Sequence, residues 1–373
     1  MDKHLHIISL DVPWPADYGG VVDLFYKLVW LHKLGIKIHL HCYTNGRPPQ
    51  DELNKYCETV QYYDRKKFPG GFSFWLPYIV SSRSDKQLLE NLSKDDYPIL
   101  MEGVHCTYFL NNDSLKNRRT FVRLHNVEHQ YYKKLADNES NFLKKCYFLY
   151  ESWLLKGYEK SIANKATFWP VSEQDTDLYR KEFQAKNIDF LPVFLPWQEV
   201  FYHSDKGCFC LYHGNLSVNE NEKAVEWLIT KVFKDVSIPL VIAGKNPSAK
   251  LEHMVHQNNN CCIVSNPSDA EMQDMIKKAQ VNILPSFNNT GVKLKVLNAL
   301  YNGRHCLVNE AAAEGAAING LCVIANSETD FRDAANYLYS QHFTSELSQR
   351  RTEQLEASYN NEANGKKMIS WIY

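Results

Sequence analysis

The spacing of apolar positions changes twice within the first forty residues. "HLHIISL" alternates and then runs apolar, "DVPWPADYGG" interrupts with two prolines and two glycines, Val21 to Leu34 repeats at helical spacing, and "GIKIHLHCY" alternates again. Strand, loop, helix and strand in that order predict one βαβ unit. The order recurs in "YPILMEGV" (97–104), "TFVRLHNV" (120–127), a helix from about Phe142 to Ala163 and "ATFWPVS" (166–172), so the spacing predicts a parallel sheet covered by helices.

Residues 188–204, "IDFLPVFLPWQEVFYHS", carry two prolines and little periodicity, as a crossing between domains would. Beyond it a second series begins. Strands are predicted at "FCLYHGNL", "IPLVIAG", "CCIVSN", "QVNILPS", "HCLVNEA" and "GLCVIAN", with helices at "NENEKAVEWLITKVF", "SAKLEHMVHQ", "SDAEMQDMIKKA" and after Gly291. The expected architecture is α/β, with domains at 1–195 and 196–345 and a helical segment 346–373 returning to the first domain. Doubly wound sheets hold ligands in loops at their strand carboxyl ends, so the ligands are expected in a cleft that both domains face.

Composition narrows the function. A chain of 373 residues suits two cores rather than one. With 42 basic and 43 acidic side chains, no net field favours nucleic acid, and no basic stripe with interleaved stacking aromatics emerges. The ten cysteines form no CxxC pair, which argues against zinc and a disulfide framework and fits a reducing cytoplasm. "MDKHLHIISL" is too polar for a signal peptide, and no run approaches the ~18–20 apolar residues of a membrane span. The absence of GxGxxG argues against a dinucleotide-binding oxidoreductase.

Three stretches carry candidate chemistry. In "LPSFNNTGVKLKVLNALYNG" (284–303), Gly291, Lys293 and Lys295 fall where a buried strand gives way to a helix. A helix start presents unpaired N–H groups and a positive dipole, which makes an anion site, although spacing alone equally allows two solvated lysines. "YGG" (Tyr18 to Gly20) lies between the first strand and first helix, where glycine admits a ligand or simply makes a turn. "RLHNVEHQYY" gathers Arg123, His125, Asn126, Glu128 and His129 at a strand carboxyl end. HExxH is missing and no third ligand is evident, so no metal is expected. His125 is the expected chemical group, with structural hydrogen bonding by a histidine the alternative.

Taken in order, "P..YGG", "HNVEH", "WPVSEQD" (169–175), "YHGNLSVNENEKAVEWL" (212–228), "LVIAGKNPS" (240–248) and "LPSFNNTGVKLKVLNALYNGRHCLVNEAAAEG" (284–315) resemble a GT-B glycosyltransferase. More narrowly, the chain resembles glycosyltransferase family 4, including bacterial enzymes that build surface polysaccharides. The resemblance covers nearly the whole chain. It implies two Rossmann-like domains facing a cleft, a nucleotide diphosphate sugar as donor, a glycan or lipid-linked acceptor, retention at the anomeric carbon, and neither metal nor cofactor. Gly19 and Gly20 would approach the donor phosphates and His125 would contact the transferring sugar. Gly291, Val292 and Lys293 would line the diphosphate loop, with Thr290 and Gly214 also among the substrate-binding residues.

There are departures. Where the family commonly has two glutamates seven residues apart, this chain has Thr290 and Asn298; Asn298 can still hydrogen-bond a ribose. Asn215 and Asn221 stand near the usual arginine and lysine, which shifts phosphate charge onto Lys293, Lys295 and Lys245. A catalytically inactive sugar-binding or scaffold protein is the alternative reading, and a GT-B phosphorylase or epimerase a third. "RKKFPGGFSFWLPYIVSSR" (65–83) mixes basic and aromatic residues, as suits a lipid-linked acceptor or peripheral contact with the inner face of a membrane.

Overall fold

The computed structural model describes residues 2–234, 236–288, 290–318 and 320–373. The chain divides into two compact units. The first contains Met1–Pro196, Thr290–Val292 and Tyr359–Tyr373, and the second Trp197–Asn289 and Lys293–Ser358.

The first unit is built on β1 (Lys3–Ser9), β2 (Ile36–Thr44), β3 (Thr59–Asp64), β4 (Ile99–Glu102), β5 (Thr120–Leu124) and β6 (Thr167–Pro170). They form one parallel sheet in the order β3-β2-β1-β4-β5-β6. The second unit repeats this plan with β7 (Cys210–Asn215), β8 (Leu240–Lys245), β9 (Cys261–Ser265), β10 (Val281–Ile283), β11 (His305–Val308) and β12 (Val323–Ile324), ordered β12-β11-β10-β7-β8-β9. In each sheet the first three strands wind outward on one side and the fourth returns to the other side of the first. The order therefore reverses between β1 and β4 and again between β7 and β10, the points at which doubly wound sheets carry a ligand crevice at their strand carboxyl ends.

In the first unit, the helix Gly19–Lys33 presses Leu24, Leu28 and Leu31 onto one sheet face with Leu5, Ile7, Ile38 and Leu40. The other face packs Met101, Val122 and Leu124 against Leu155, Tyr158 and Ile162 of the helix Phe142–Ile162. Alternation along β1 and β2 puts His6 and His41 on one face, and His6 Nδ1 meets His41 Nε2 at 2.8 Å. Asp95 accepts from His6 Nε2 at 2.9 Å, and Tyr63 OH lies 2.8 Å from His41 Nδ1, so this buried polar strip is fully partnered.

Some elements differ from the sequence expectation. β3, "TVQYYD", lacks a clean alternation because it is an edge strand with only Tyr63 buried. Only two residues of "GLCVIAN" form strand. "NENEKAVEWLITKVF" is an α-helix over Asn219–Trp227 that widens into a π-helical turn over Leu228–Val232. The C-terminal segment is two helices, Ser345–Tyr359 and Asn361–Ile372. The last of these completes the first unit: Asn361 exchanges hydrogen bonds with both backbone groups of Leu195, and Trp371 stacks on Trp169 with centroids 5.6 Å apart.

Candidate active site

At the β1/β4 switch point, the loop after β1 leads into the helix Gly19–Lys33, whose first turn contains Gly19 and Gly20 and no acidic residue. No side chain caps this helix, so its first amides are not engaged by a cap. Neither glycine has a positive φ, and a Cβ on Gly20 would make only an ordinary 3.7 Å contact with Tyr18. The protein's own packing thus does not explain glycine at position 20.

One turn further along, Asp23 and Lys27 share the inward stripe with Leu24, Leu28 and Leu31, and both are fully buried. Asp23 accepts from Lys27 Nζ (3.0 Å), Arg123 Nε (3.0 Å), Arg123 Nη2 (3.0 Å) and the Phe194 amide (2.7 Å). Lys27 Nζ also donates to Glu102 Oε1 at 2.7 Å, where β4 ends in the crevice. The second Glu102 oxygen accepts from His125 Nε2 at 3.1 Å, and His125 Nδ1 lies 3.9 Å from Asp23 Oδ2. Five ionisable groups thus lock together beneath the crevice, with His125 the one side chain reaching partway to its surface.

Burial alone would raise both carboxyls, but the surrounding cations reverse this. Arg123, Lys27 and His125 hold Asp23 well below the usual carboxylate range, and Lys27 and His125 lower Glu102 likewise. Donor atoms of Asp23, Glu102 and His125 lie within 4.8 Å of one another, a spacing that could hold a cation. Lys27 and Arg123 already supply positive charge to both carboxylates, so the set reads as an internally neutralised network that orients His125.

The neighbouring candidates divide. Arg123 does not face the crevice: it is buried, and donates to Asp23 and to the carbonyls of Leu191 (2.5 Å) and Pro192 (2.9 Å). His129 is also structural, buried with Nδ1 2.8 Å from Glu159 and Nε2 3.4 Å from Glu182. Glu159, from the adjoining helix, accepts the Glu128 and His129 amides and so caps the helix Glu128–Asn138, whose own preceding residue is Val127. Burial and the Glu159 charge push the Glu128 carboxyl up to about 8, so it carries a proton at neutral pH. Thr290–Val292 belong to this unit; Gly291 has φ +64°, and a Cβ there would lie 2.6 Å from Asn126 Oδ1. Glycine alone fits both constraints, and the fold sets it against the loop that carries His125.

In the second unit, β7 ends at Gly214 and Asn215 beside β10. The helix Leu294–Asn302 starts here with Lys293 at its N-cap, no side-chain cap and no acidic residue in its first turn. The helices after Ser248, Ser268 and Ser327 in the same unit are all capped by those serines. Lys295 Nζ donates to Tyr212 OH and Asn221 Oδ1, both at 3.2 Å, and sits 4.7 Å over the Tyr212 ring. Burial pushes the Lys295 ammonium down to about 8, Glu220 opposes this and Lys293 adds to it. Asn221 also donates to the Asn215 carbonyl at 2.9 Å, tying β7 to Lys295. Asn298 Oδ1 accepts from Asn302 one turn along, and Lys245 is exposed at the end of β8.

A family model described as "Glycosyl transferases group 1" matches residues 208–341, the span that contains this second crevice. A Klebsiella pneumoniae protein described as an uncharacterized 44.6 kDa protein in the cps region is 30% identical over 354 residues, covering 87% of this chain and 88% of that one. The chain belongs to the group 1 glycosyl transferases.

Solved structures agree on the fold of this transferase. Sucrose-phosphate synthase of Thermosynechococcus elongatus superposes with a TM-score of 0.70 at 13% identity, over 99% of this chain and 98% of that one. HepE of Anabaena, in complex with UDP, gives 0.68 at 9% identity over 99% of both chains. A mutant of Staphylococcus aureus TarM, crystallised with fondaparinux, alpha-GlcNAc-glycerol and UDP, gives 0.66 at 12% identity over 99% of both. The transferase has the GT-B fold expected from the resemblance.

Sequence reasoning missed Asp23, Lys27 and Glu102. A signal for the first two was present: an acid and a base four apart lie on the leucine stripe of the first helix, where solvated charges do not belong.

Proposed function

We propose that this glycosyltransferase moves a hexose-type sugar from a nucleotide diphosphate donor to a glycan or lipid-linked acceptor, with retention at the anomeric carbon and without a metal. The reading rests on the uncapped start of the helix Leu294–Asn302 at the β7/β10 switch point, with Lys293 at its N-cap and Lys295 in its first turn. Backbone amides and two ammonium groups there suit a diphosphate and supply the positive charge that a leaving diphosphate needs. UDP complexes of HepE and TarM support a nucleotide donor, and the cps-region relative supports a surface polysaccharide as product.

On this reading, Gly19 and Gly20 give backbone approach to the donor and His125 contacts the transferring sugar. The bond from the anomeric carbon to the diphosphate breaks as the acceptor oxygen forms its bond on the same face, and a departing phosphate oxygen takes the acceptor proton. Lys293, Lys295 and, more remotely, Lys245 balance the charge that develops. The work belongs in the cytoplasm, at the inner face of the plasma membrane. Retention is tested by the anomeric proton coupling of the product in NMR: the donor's configuration supports it, and the inverted configuration contradicts it.

A second reading, a scaffold without transfer, draws on Thr290 and Asn298, the latter with its oxygen engaged by Asn302. Incubation of the protein with nucleotide sugars and a membrane extract separates the two. Release of nucleoside diphosphate with labelled glycan supports transfer, while nucleotide binding with no release supports the scaffold.

A further inference from the structure

The helix Phe142–Ile162 carries two apolar stripes, one packed into the core of the first unit and the other exposed. Leu154, Leu155, Tyr158 and Ile162 face inward. On the opposite side Phe142, Cys146, Leu149 and Trp153, spaced i, i+4, i+7 and i+11, face outward, and the line continues as Lys156 and Lys160. Beside it the loop 66–77 turns out Phe68, Phe74 and Trp75. These three, with Phe142, Leu143 and Trp153, are between 67% and 86% exposed.

The loop and helix form one surface. Tyr150 OH donates to the Phe74 carbonyl at 2.7 Å, the Tyr78 amide donates to Glu151 Oε2 at 2.9 Å, and Trp75 and Trp153 line a common groove of about 470 Å³. Its exposed charge is mainly basic. Residues 65–83 contain no acid, and of their cations Lys66 and Lys67 are exposed and Arg65 is half-buried, while Arg83 is buried. Along the helix the exposed ions are lysines, among them Lys144, Lys156 and Lys160, of which Lys156 pairs with Glu182 at 2.6 Å, while Glu151 and Glu159 are buried. In a chain whose net charge is only -1, this concentration is local.

We propose that this face is a docking surface for an anionic lipid bilayer. Tryptophan and phenylalanine enter the boundary between headgroups and acyl chains, and the flanking lysines meet anionic headgroups. No helix among the described residues is long and apolar enough to cross a membrane, so attachment by this face is peripheral. A protein partner would equally cover apolar side chains, but an excess of exposed cations beside a broad aromatic face matches a lipid surface.

The test is flotation of the full chain with vesicles of phosphatidylcholine alone and of equal parts phosphatidylcholine and phosphatidylglycerol, at low and high salt, without nucleotide. The protein floats with the anionic vesicles at low salt only. Lys67→Ala with Lys160→Ala weakens that partition about 25-fold, at roughly fivefold per cation, and Trp75→Ser with Trp153→Ser removes it. Circular dichroism confirms that both variants are folded. Equal partition onto neutral and anionic vesicles, no flotation, or wild-type flotation by both variants overturns the proposal. So does self-association in vesicle-free buffer that the tryptophan variant abolishes while vesicles bind nothing. Since no nucleotide is present, failure here leaves the transferase reading untouched.

Discussion

His125 Nε2 donates to Glu102 Oε2 over 3.1 Å, and the other oxygen of that carboxylate accepts from Lys27 Nζ over 2.7 Å. The relationship makes Glu102 a positioning residue for His125. Replacing His125 by alanine is expected to lower kcat at least tenfold with nucleoside diphosphate affinity unchanged. Glu102→Gln is expected to lower kcat by about 10- to 100-fold, the worth of one charge-assisted hydrogen bond. In the double variant kcat should fall no further than in His125→Ala, because Glu102 acts through the imidazole. Additive losses in steady-state kinetics would assign Glu102 a separate role.

Lys27 neutralises two buried carboxylates at once. Lys27→Met fits the space but leaves Asp23 to Arg123 and the Phe194 amide, and Glu102 to His125. Breaking one side of a buried ion pair costs about 3–5 kcal/mol. Urea denaturation followed by circular dichroism should show a loss of this size in the first unit, and a change under about 1 kcal/mol would show that the network is not what holds the unit together.

Lys295 is pushed down to about 8 by burial, and its protonated form is the one that meets a diphosphate. As pH rises past 8 the ammonium is lost, so nucleoside diphosphate affinity should weaken up to tenfold per pH unit. Lys295→Met should bind more weakly at pH 7 and lack this slope. Calorimetric titration from pH 7 to 9.5 checks both.

Two kinds of buried group act oppositely on acid stability. His41 and His213 are held neutral by burial, with pKa values near 3. Below about 6.5 the unfolded chain takes up protons there that the folded chain refuses, so each costs about 1–2 kcal/mol of stability as pH falls from 7 to 5. Glu128, pushed up to about 8, binds its proton in the folded state where the unfolded chain does not, so it favours folding more as pH falls from 8 toward 4.5. Glu128→Gln should therefore stabilise the protein at pH 8 by about 1–3 kcal/mol and much less at pH 5. Denaturation midpoints at the two pH values decide it; equal gains at both would mean that Glu128 is ionised.

What the sequence made legible follows from which physics is local. The helix from Gly19 was readable because its leucine spacing matches one inward face, and the helix from Phe142 because Leu154, Leu155, Tyr158 and Ile162 do the same. β3 was not, since an edge strand with one buried residue keeps no alternation. The place of Asp23 and Lys27 on the leucine stripe signals burial, but their partners Glu102 and Arg123, 75 and 100 residues away, emerge only when the chain is folded. His129 sits among the crevice candidates in sequence, and only the tertiary partners Glu159 and Glu182 turn it inward. Lys293 and Lys295 were legible at a helix start, where spacing left an anion site and two solvated lysines equally open, and the desolvation of Lys295 against Tyr212 depends on β7.

The central claim is that a nucleoside diphosphate occupies the crevice at Lys293. Thermal unfolding of the purified protein with GDP, UDP, CDP and ADP, beside Lys293→Ala, tests it most directly, because a ligand that binds only the folded chain at about 100 times its Kd adds about 2.7 kcal/mol of stability. A rise in Tm with one nucleotide, lost in Lys293→Ala, is the predicted result. No shift with any of the four at millimolar concentration, or the same shift in the variant, would contradict the account.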